Sequence, residues 1–530
     1  MEKRRFFLVF GSYILFILIH IGFGQAYLGT NDDVYLQTFL YHGDNRTYIM
    51  SFPLSTLLAK LYTYFPDAQW FSICMTLTLI LIAAVISLFI TRIRHSGLKL
   101  LLYVLGLVYL RFLVTNISVT AITVTFVALA IPFIRERHKL FWLLILTASL
   151  FRFNIILGLL PLIALPYLIF LQKESFEKKG LPALILLWSL LLATLMSNRF
   201  YDPQYREWLQ FRNAHQYFID LHGKGHLENF TENEKRILRS WMIQDENILP
   251  SKKVIEAADN RYLVMFDNFK KLTPGKIASI LYHNKILLIL LFLSFWLLAE
   301  KKTGRKKKIL LTFFILGFFA LLFVRNVERV TIPAALMWMT VVTLILLELN
   351  RFNRLKFLFG GAIVAFLIDL PLYNSLHTPR HLAWEAEKLE LMRRNPLLYE
   401  TAIYFPTNYT PEYIWSTILH NRLFEEQKWF TRYILPADWV SRHPLFYKLH
   451  DISHGDERRK YKNFHDYLIS PQTAFIGGKE INEKFNKVLL SEYDKKFLKD
   501  TKCHHEIRFL DTSENYAISQ VFLVCNDIKR

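Results

Sequence analysis

The chain has 530 residues, of which 53% are apolar and 15% aromatic, and it carries a formal charge of +20. A basic charge of this size can indicate a nucleic-acid partner, but here the cationic residues cluster in short breaks between long apolar runs. Basic loops of this kind stay on the cytoplasmic side of a membrane. The composition therefore indicates a polytopic membrane protein with no nucleic acid among its partners. Three cysteines are too few for a disulfide-rich scaffold.

The N-terminal segment has a basic start followed by an apolar run from Phe6 to about Gly24, which is long enough to cross a bilayer. No small-x-small cleavage site follows this run, and many further apolar runs do. We therefore expect an uncleaved anchor rather than a signal peptide. Asn31, Asp32 and Asp33 then stand where the chain leaves the membrane. Charged side chains at this depth are costly unless they face a watery cavity or carry a function.

In chain order, the apolar runs predict about eleven transmembrane helices. Two apolar regions, 100–134 and 140–171, are each expected to form a hairpin of short helices, because two full spans need about forty residues. The last expected span is Leu358–Leu370. With the N-terminus in the cytoplasm, this count places every basic cluster on the cytoplasmic side. It places residues 25–68 and 198–275 outside.

The segment after about residue 374 is polar and predicts an extracytoplasmic domain. Short apolar stretches separated by helical stretches favour a small α/β domain, 375–530, following a transmembrane module, 1–374, with outer loops 25–68 and 198–275. For Cys503 and Cys525, a disulfide and two free thiols are equally compatible with the sequence. The strand candidates are Ala402–Phe405, Thr473–Ile476, Ile507–Leu510 and Ile518–Cys525.

Four arginines break the pattern of cytoplasmic basic residues, because each lies at the expected outward end of a span. A guanidinium group binds phosphate through two parallel hydrogen bonds, so several arginines at one depth would form a site for a lipid phosphate head group. For a single arginine, snorkelling to the interface or pairing with Glu328 is the better explanation. Because such arginines recur at three hairpin tips, a phosphate-binding site is the favoured interpretation. The four are Arg111, Arg152, Arg325 and Arg329.

Carboxylates and aromatic residues mark two further candidate regions. Asp32 and Asp33 beside a membrane cavity would accept a proton from a sugar hydroxyl or hold a metal, although a helix cap after Asn31 is nearly as good an explanation. Loop 198–275 interleaves aromatic rings with carboxylates, which is typical of carbohydrate-binding surfaces. A pair of amphipathic helices lying on the bilayer is at least equally consistent with that loop. Asp44 is expected to be a turn residue.

The histidines do not form a recognisable metal motif. His215, His222, His226 and the run Cys503-His504-His505 lack the spacing of four zinc ligands, so we expect exposed surface histidines. The chain has no P-loop, no dinucleotide-binding glycine motif and no G-x-S-x-G motif. It also has no separated Asp-x-Asp pair with a third ligand. The sequence therefore assigns no cofactor and leaves a divalent metal open.

Taken together, these features resemble the GT-C superfamily of membrane glycosyltransferases, and more narrowly its bacterial members that use polyprenyl-phosphate-linked sugars. The resemblance covers about residues 1–375. It implies a hexosyl- or pentosyltransferase of the bacterial cell membrane that transfers a sugar to an extracytoplasmic glycan or lipid-linked acceptor during surface polysaccharide assembly. The residues that carry it are Asn31-Asp32-Asp33 with Gly43 downstream, Leu150-Phe151-Arg152, Glu328-Arg329-Val330 with Pro333, and the loop Tyr205 to Asp245.

The resemblance also implies residue roles. Asp32 or Asp33 would be the general base on the acceptor hydroxyl. The four outer arginines would hold the donor phosphate and stabilise its charge as it leaves. Loop 198–275 and the C-terminal domain would bind the acceptor. The remaining candidates for contacts around the acceptor are Asn31, Asn154, Glu328, Tyr205 and Asp245.

Three alternative functions stay open at this point. A flippase or transporter of lipid-linked saccharides predicts pseudo-symmetric halves and helices interrupted inside the membrane, and the sequence indicates neither. A polysaccharide polymerase or ligase would use the same outer arginines. A non-catalytic assembly subunit would tolerate replacement of Asp32 and Asp33.

Overall fold

A computed structural model gives the fold of the chain as two compact units. The first comprises Met1–Phe200, Asn268–Thr378 and Trp415–Leu423, and the second comprises Tyr201–Asp267, Pro379–Ile414 and Phe424–Arg530. The structure describes residues 2–22, 36–37, 39–47, 49–66, 68, 70–94, 96–115, 117–134, 138–170, 189, 203–219, 223, 225–239, 245–258, 285–324, 328–349, 387, 390–391, 394–395, 402–404, 442–449, 460–471, 473–499, 501–514 and 516–525.

The described residues are mostly helical. The helices are α1 (Glu2–Gly22), α2 (Phe52–Tyr64), α3 (Trp70–Arg92), α4 (Ser96–Thr115), α5 (Val119–Ala130), α6 (His138–Phe170), α7 (Pro203–Ile219), α8 (Glu232–Arg239), α9 (Ser251–Ala257), α10 (Lys285–Ala299), α11 (Arg305–Val324), α12 (Glu328–Leu349), α13 (Pro444–Leu449), α14 (Phe464–Leu468) and α15 (Lys479–Phe497).

Several of these helices have the length and composition of membrane spans. Among the described residues, five apolar segments are long enough to cross a bilayer, and two shorter apolar helices accompany them. The expected polytopic membrane protein is confirmed in this coarser form. Of the other expected spans, Leu358–Leu370 lies outside the described residues. The five segments are Lys3–Ile21, Trp70–Arg92, Ser96–Thr115, Lys139–Leu160 and Ile332–Leu349. The fourth has the length and composition of a span but is not one straight helix, because it contains the non-helical Arg152.

Region 100–134 forms two helices, α4 and α5, separated by a short link. At the start of α5, the Ser118 hydroxyl accepts a hydrogen bond from the Thr120 amide, 3.2 Å, and so caps the helix. At its far end, the Arg92 guanidinium lies over the Phe133 ring, 5.5 Å from its centroid. The end of α3 and the 3₁₀ turn Ile131–Phe133 after α5 therefore lie at one end of the bundle, and the link between α4 and α5 lies at the other.

Region 140–171 is a hairpin of short helices, as the sequence analysis predicts, whereas α4 in region 100–134 has 20 residues and the length of a full span. Arg152, in the middle of α6, has a non-helical backbone conformation with φ −148° and ψ 87°. The Phe141 and Tyr167 rings stack at a centroid distance of 5.2 Å. A straight helix would separate these two residues by about 39 Å at 1.5 Å per residue. The second arm of α6 therefore folds back along the first, and Arg152 is the tip.

Two close contacts hold other helices of the first unit together. The Tyr13 hydroxyl of α1 donates to the Tyr103 carbonyl of α4, 3.0 Å, in the space left by Gly106. The Trp338 indole of α12 donates to the Ser294 hydroxyl of α10, 2.9 Å, inside the bundle. Small residues at helix crossings and interhelical hydrogen bonds are the usual means of association for apolar helices in lipid.

The second unit contains a four-stranded sheet in the order β1-β2-β4-β3. β1 pairs with β2 in parallel, and the two other pairs are antiparallel. All four strand candidates are confirmed, with the longer bounds of the last three set by pairing with their neighbours. The helix α15 connects β2 to β3. The strands are β1 (Ala402–Tyr404), β2 (Thr473–Gly478), β3 (Cys503–Thr512) and β4 (Tyr516–Cys525).

The two polar blocks of the sequence share one hydrophobic core in the second unit. Helices α7, α8 and α9, from the middle of the chain, pack with α14, α15 and the sheet. The Asn233 amide donates to the Glu492 carboxylate, 2.6 Å, across this junction. No local pattern in the sequence indicates that these two blocks pack together. The core includes Phe211, Ile237, Leu249, Val254, Tyr467, Leu489, Tyr493 and Val521.

Cys503 and Cys525 are joined by a disulfide that ties the start of β3 to the end of β4. The two cysteines are directly opposite each other in the antiparallel ladder. The sequence is equally compatible with a disulfide and with two free thiols, and the structure contains the disulfide. Cys74, in α3, is free.

Candidate functional site

The candidate site begins with the loop that leads from the α1 end of the chain into α2. The Gly43 amide donates to the Leu40 carbonyl, 3.0 Å, and the Asp44 amide donates to the Phe39 carbonyl, 2.9 Å. This hydrogen-bond pair is a Schellman motif, which ends a helical turn with a residue in the left-handed conformation. Gly43 has φ 72°, a conformation that glycine adopts without strain. The chain therefore turns sharply into residues 44–51.

Asp44 is buried and holds this loop together as a turn residue, as the sequence analysis predicts. Its carboxylate accepts hydrogen bonds from the Arg46 amide, 2.8 Å, and from the Arg46 guanidinium, 2.7 Å. The next residue fastens the loop to α2, because the Asn45 amide donates to Thr56 and the Asn45 carbonyl accepts from the Ser55 hydroxyl. The loop is thus fixed on its own helix before it reaches α6.

The same loop contacts the tip of the α6 hairpin through Ser51, which is buried. The Ser51 hydroxyl donates to the Ser149 carbonyl, 2.5 Å, and accepts from the Phe153 amide, 2.9 Å. The Ser51 amide donates to the Phe151 carbonyl, 3.1 Å. Three hydrogen bonds therefore join this loop to the backbone on both sides of Arg152.

Arg152 joins this junction to a third element. Its Nη1 donates to the Thr120 hydroxyl, 2.5 Å, in the first turn of α5. Thr120 is buried and follows the capping residue Ser118. The α6 tip, the loop 44–51 and the start of α5 therefore meet at one place, with a guanidinium group among them.

Arg111 lies in the last turns of α4, at the same end of the bundle. The Tyr109 hydroxyl and the Thr125 hydroxyl share a hydrogen bond of 2.5 Å, so the last turns of α4 lie beside α5. The Nε of Arg111 is buried and has no hydrogen-bond partner among the described residues. Arg111 and Arg152 are thus brought to the same end of α5, which is the end opposite Arg92.

Several predicted site residues fall outside the part of the chain that the structure describes. Asn31, Asp32, Asp33 and Arg325 are among them.

The helix α12 begins at Glu328 and Arg329. A salt bridge between Lys307, at the start of α11, and Glu348, at the end of α12, makes these helices antiparallel. Glu328 and Arg329 therefore lie at the end of this helix pair away from Lys307 and its basic cluster.

The other predicted contact residues have different surroundings. Asn154 is exposed on the second arm of α6, two residues after the tip. Tyr205 is only 1% exposed and packs against Trp208 and His443 at centroid distances of 5.1 and 5.6 Å. The structure thus places Tyr205 in the interior of the second unit rather than on a surface open to a sugar.

Asp245 is likewise buried in the second unit. Its carboxylate accepts hydrogen bonds from the Tyr493 hydroxyl, 2.7 Å, and from the Asn247 amide, 2.7 Å. Burial raises the pKa of Asp245, and these hydrogen bonds oppose the rise. The Asp245–Tyr493 hydrogen bond connects the mid-chain block with α15. Asp245 therefore helps to hold the second unit together.

The expectation of exposed histidines is wrong for two of them. His215 is fully buried, and its Nε2 contacts the Leu238 carbonyl at 3.0 Å. Burial lowers the pKa of His215 to about 3. His505 is also buried, whereas His226 is exposed. Within the described ranges, no group of three or more His, Cys, Asp or Glu side chains is placed to hold a metal ion.

Sequence reasoning missed Ser51 and Thr120 as members of this site. Ser51 precedes Phe52-Pro53, a pattern that predicts the cap of a helix, and it does occupy the N-cap of α2. That pattern gives no sign that the hydroxyl bonds another helix 98 residues away. Thr120 is one of the four hydroxyl residues from Ser118 to Thr125, and nothing in that pattern distinguishes it from the others.

Comparison of the chain with known protein families, with curated proteins and with solved structures finds no match. The function of the site must therefore be argued from the chemistry of its residues.

Proposed function

We propose that the chain is a membrane glycosyltransferase that transfers a sugar from a polyprenyl-phosphate-linked donor to an extracytoplasmic glycan or lipid-linked acceptor. The observation that carries this proposal is the position of Arg152. Its guanidinium stands at the tip of a helix hairpin, bonded to Thr120, where three elements converge. Arginine in an apolar helix bundle is costly, so its retention at a built junction favours a functional role.

The chemistry of phosphate supports this role. A guanidinium fork matches two phosphate oxygens, and a fork that is already oriented by Thr120 loses little freedom when it binds. Arg111, with its buried Nε, lies at the same end of α5. Arg325 and Arg329 would complete a cationic site for the phosphate. In such a site, the charge that develops on the departing polyprenyl phosphate is stabilised electrostatically.

The proposed transfer step needs a base as well as the arginines. Asp32 or Asp33 would accept the proton of the acceptor hydroxyl as its oxygen forms a bond to the anomeric carbon of the sugar. The bond between that carbon and the phosphate oxygen breaks, and the polyprenyl phosphate leaves with the electron pair. Asn31, Asn154 and Glu328 would orient the acceptor. No metal is needed to balance this step.

The disulfide of the second unit is consistent with the compartment that this reaction requires. Disulfides persist in oxidising compartments such as the bacterial periplasm and are rare in the cytosol. Cys503 and Cys525 are bonded, which favours an extracytoplasmic position for the second unit. The cell membrane of a bacterium, with the N-terminus in the cytoplasm, is the location that we propose.

The proposal is tested with the full chain in nanodiscs, by measuring sugar transfer from a polyprenyl-phosphate-linked donor and binding of polyprenyl monophosphate. Asp32→Asn and Asp33→Asn should leave phosphate binding intact, and at least one should abolish transfer. Arg152→Ala should weaken phosphate binding about tenfold, a loss of about 1.4 kcal/mol. Arg152→Lys, which keeps the charge without the fork, should recover part of it. Arg508→Ala, on the exposed face of β3, is the control.

Two results would contradict the proposal. Unchanged turnover in both aspartate variants would remove the assignment of the general base. Equal losses of phosphate and acceptor binding in Arg152→Ala would argue against a specific phosphate role. Expression and thermal stability must match those of the unmodified chain for either comparison to count.

One observation favours a second candidate, a flippase or transporter for lipid-linked saccharides. The sequence analysis found no interrupted helix, but α6 is interrupted at Arg152. Interrupted helices bind substrates in many transporters. Here the stacking of Phe141 on Tyr167 makes the interruption the tip of a hairpin rather than a break in one continuous span. Movement of a labelled saccharide lipid across liposomes, without any sugar transfer, would support this candidate instead.

A further inference from the structure

The Ser51 side chain does not cap the helix at whose N-terminus it lies. Ser51 is the N-cap of α2, with φ −66° and ψ 142°, yet its hydroxyl makes no capping bond to that helix. A serine in this position normally accepts a hydrogen bond from the second or third amide of its own helix. Ser51 is only 5% exposed, so its hydroxyl does not bond bulk water instead. Its hydroxyl is committed to α6.

The atoms that Ser51 contacts are those of one missing helical hydrogen bond. In a continuous helix, the Phe153 amide would donate to the Ser149 carbonyl four residues earlier. The non-helical Arg152 breaks that bond. The Ser51 hydroxyl lies between the two atoms, accepting from the Phe153 amide at 2.9 Å and donating to the Ser149 carbonyl at 2.5 Å. A side chain from another segment has been inserted into the helical ladder.

The Ser51 hydroxyl thereby forms hydrogen bonds with the amide and the carbonyl that the break in α6 would otherwise leave unpaired. In an apolar bundle, an unsatisfied amide or carbonyl is costly, and interruptions persist only where other groups bond the freed backbone. The Ser51 amide also donates to the Phe151 carbonyl, 3.1 Å, which has lost its own helical partner. Ser51 thus stabilises the conformation in which Arg152 projects towards Thr120.

We propose that Ser51 is a positioning residue that holds the α6 interruption and thereby aims the Arg152 guanidinium at the phosphate of the lipid donor. The proposal rests on the proposed phosphate role of Arg152. It adds that the outer loop 44–51 controls that role through a single hydroxyl group. Ser51 itself does not contact the phosphate.

The test measures binding of polyprenyl monophosphate to the full chain in nanodiscs, together with hydrogen exchange at the Phe153 amide. Ser51→Ala should weaken binding about tenfold and speed exchange, because the amide loses its acceptor. The isosteric pair Ser51→Thr and Ser51→Val isolates the hydroxyl: the threonine variant should resemble the unmodified chain, and the valine variant should resemble Ser51→Ala. If Ser51→Ala folds poorly, the threonine and valine variants still test the role of the hydroxyl.

Ser87→Ala is the matched control. Ser87 is fully buried on α3, and its hydroxyl bonds the Ala83 carbonyl of its own helix rather than α6. This variant should leave both readouts unchanged. A double variant of Ser51→Ala with Arg152→Ala should bind no more weakly than Arg152→Ala alone, because Ser51 acts through Arg152.

Two outcomes would overturn the inference: normal binding by Ser51→Ala and Ser51→Val, or losses that multiply in the double variant. A different outcome identifies failure of the underlying function. If Arg152→Ala binds the probe normally while Ser51→Ala still speeds exchange at Phe153, the hydroxyl bridge is real but the phosphate role of Arg152 is not.

Discussion

The Nε2 atoms of His465 and His505 lie 2.7 Å apart in the interior of the second unit. On its other side, the His505 ring donates from Nδ1 to the Asp494 carboxylate at 2.6 Å, which also accepts from the His505 amide. The His465 ring stacks on Phe497, and Asp466 lies 3.9 Å from its Nδ1. One Nε2 must carry a proton and the other must not, so the pair is stable with a single shared proton.

This arrangement predicts acid sensitivity of the second unit. Burial and the neighbouring His505 lower the pKa of His465 from its ordinary 6.5 to about 4. The unfolded chain therefore binds the proton more readily than the folded chain between these values, and stability falls as the pH drops from about 6.5 to 4. We expect a loss of about 1–3 kcal/mol, measured by hydrogen exchange of α15 and β3 in the full chain.

The matched variants for this prediction are His465→Gln and His226→Gln. The first removes the buried titrating group and should flatten the pH dependence over that window. The second removes an exposed histidine that pairs with Glu228 at the surface and should leave the dependence unchanged. An unchanged slope in His465→Gln would show that another group is responsible.

Arg442 should be among the residues most important for the stability of the second unit. Its side chain is 4% exposed, and its guanidinium bonds Glu246, Ser251 and the carbonyls of Asp245 and Leu249. Arg442→Ala would leave several buried acceptors without their donor, so we expect a loss of about 3–5 kcal/mol. Urea unfolding followed by limited proteolysis measures this.

A surface arginine provides the comparison for Arg442. Arg508 stacks on Phe522, but its side chain is 54% exposed. Arg508→Ala should change stability by no more than about 0.5 kcal/mol. Equal losses in the two variants would mean that the buried network contributes nothing specific.

The disulfide gives a prediction about thiol counts. The chain has three cysteines, and only Cys74 is free. Unfolded, unreduced protein should therefore react with one equivalent of a thiol reagent, and reduced protein with three. Cys503→Ser should release Cys525 for labelling and destabilise the second unit by about 2–4 kcal/mol. Cys74→Ser, the control, should abolish labelling of the unreduced chain; three reactive thiols before reduction would refute the bond.

Close packing of α1 on α4 predicts that Gly106 cannot be enlarged. A Cβ at Gly106 would lie 2.3 Å from the Tyr13 hydroxyl and 3.2 Å from Ile86. Gly106→Ala should therefore displace Tyr13 and cost about 1–3 kcal/mol by overpacking. Gly11→Ala, on α1 with nothing within 4 Å of its added Cβ, should be neutral or slightly stabilising. Thermal unfolding in the same detergent compares them, and equal melting temperatures would contradict the packing argument.

Local patterns explain why much of the fold could be predicted. The strands at Thr473 and Ile518 follow from short apolar runs bounded by polar residues, because a strand of this kind is specified by its own side chains. The hairpin in 140–171 follows from length, since this region is too short for two full spans and contains Arg152 at its middle. These signals lie within a few residues of the element that they specify.

The parts that could not be predicted depend on contacts distant in sequence. Asp245 and Tyr493 are 248 residues apart, and nothing near either residue indicates the other. The burial of His505 depends on α14 and α15 covering it, so its sequence alone resembled an exposed cluster. Ser51 is a common capping residue by local rules, and only the tertiary structure shows that its hydroxyl serves a different helix.

The shared core of the second unit also constrains how the polypeptide is inserted during synthesis. Core residues of the stretches 211–258 and 447–521 pack into one interior, so both stretches must reach the same compartment before that interior can form. The ribosome releases the first half of this core long before the second. Until the C-terminal half is synthesised, the apolar side chains around Phe211 and Val254 lack part of the core that covers them. The protein is therefore most vulnerable to misfolding late in translation.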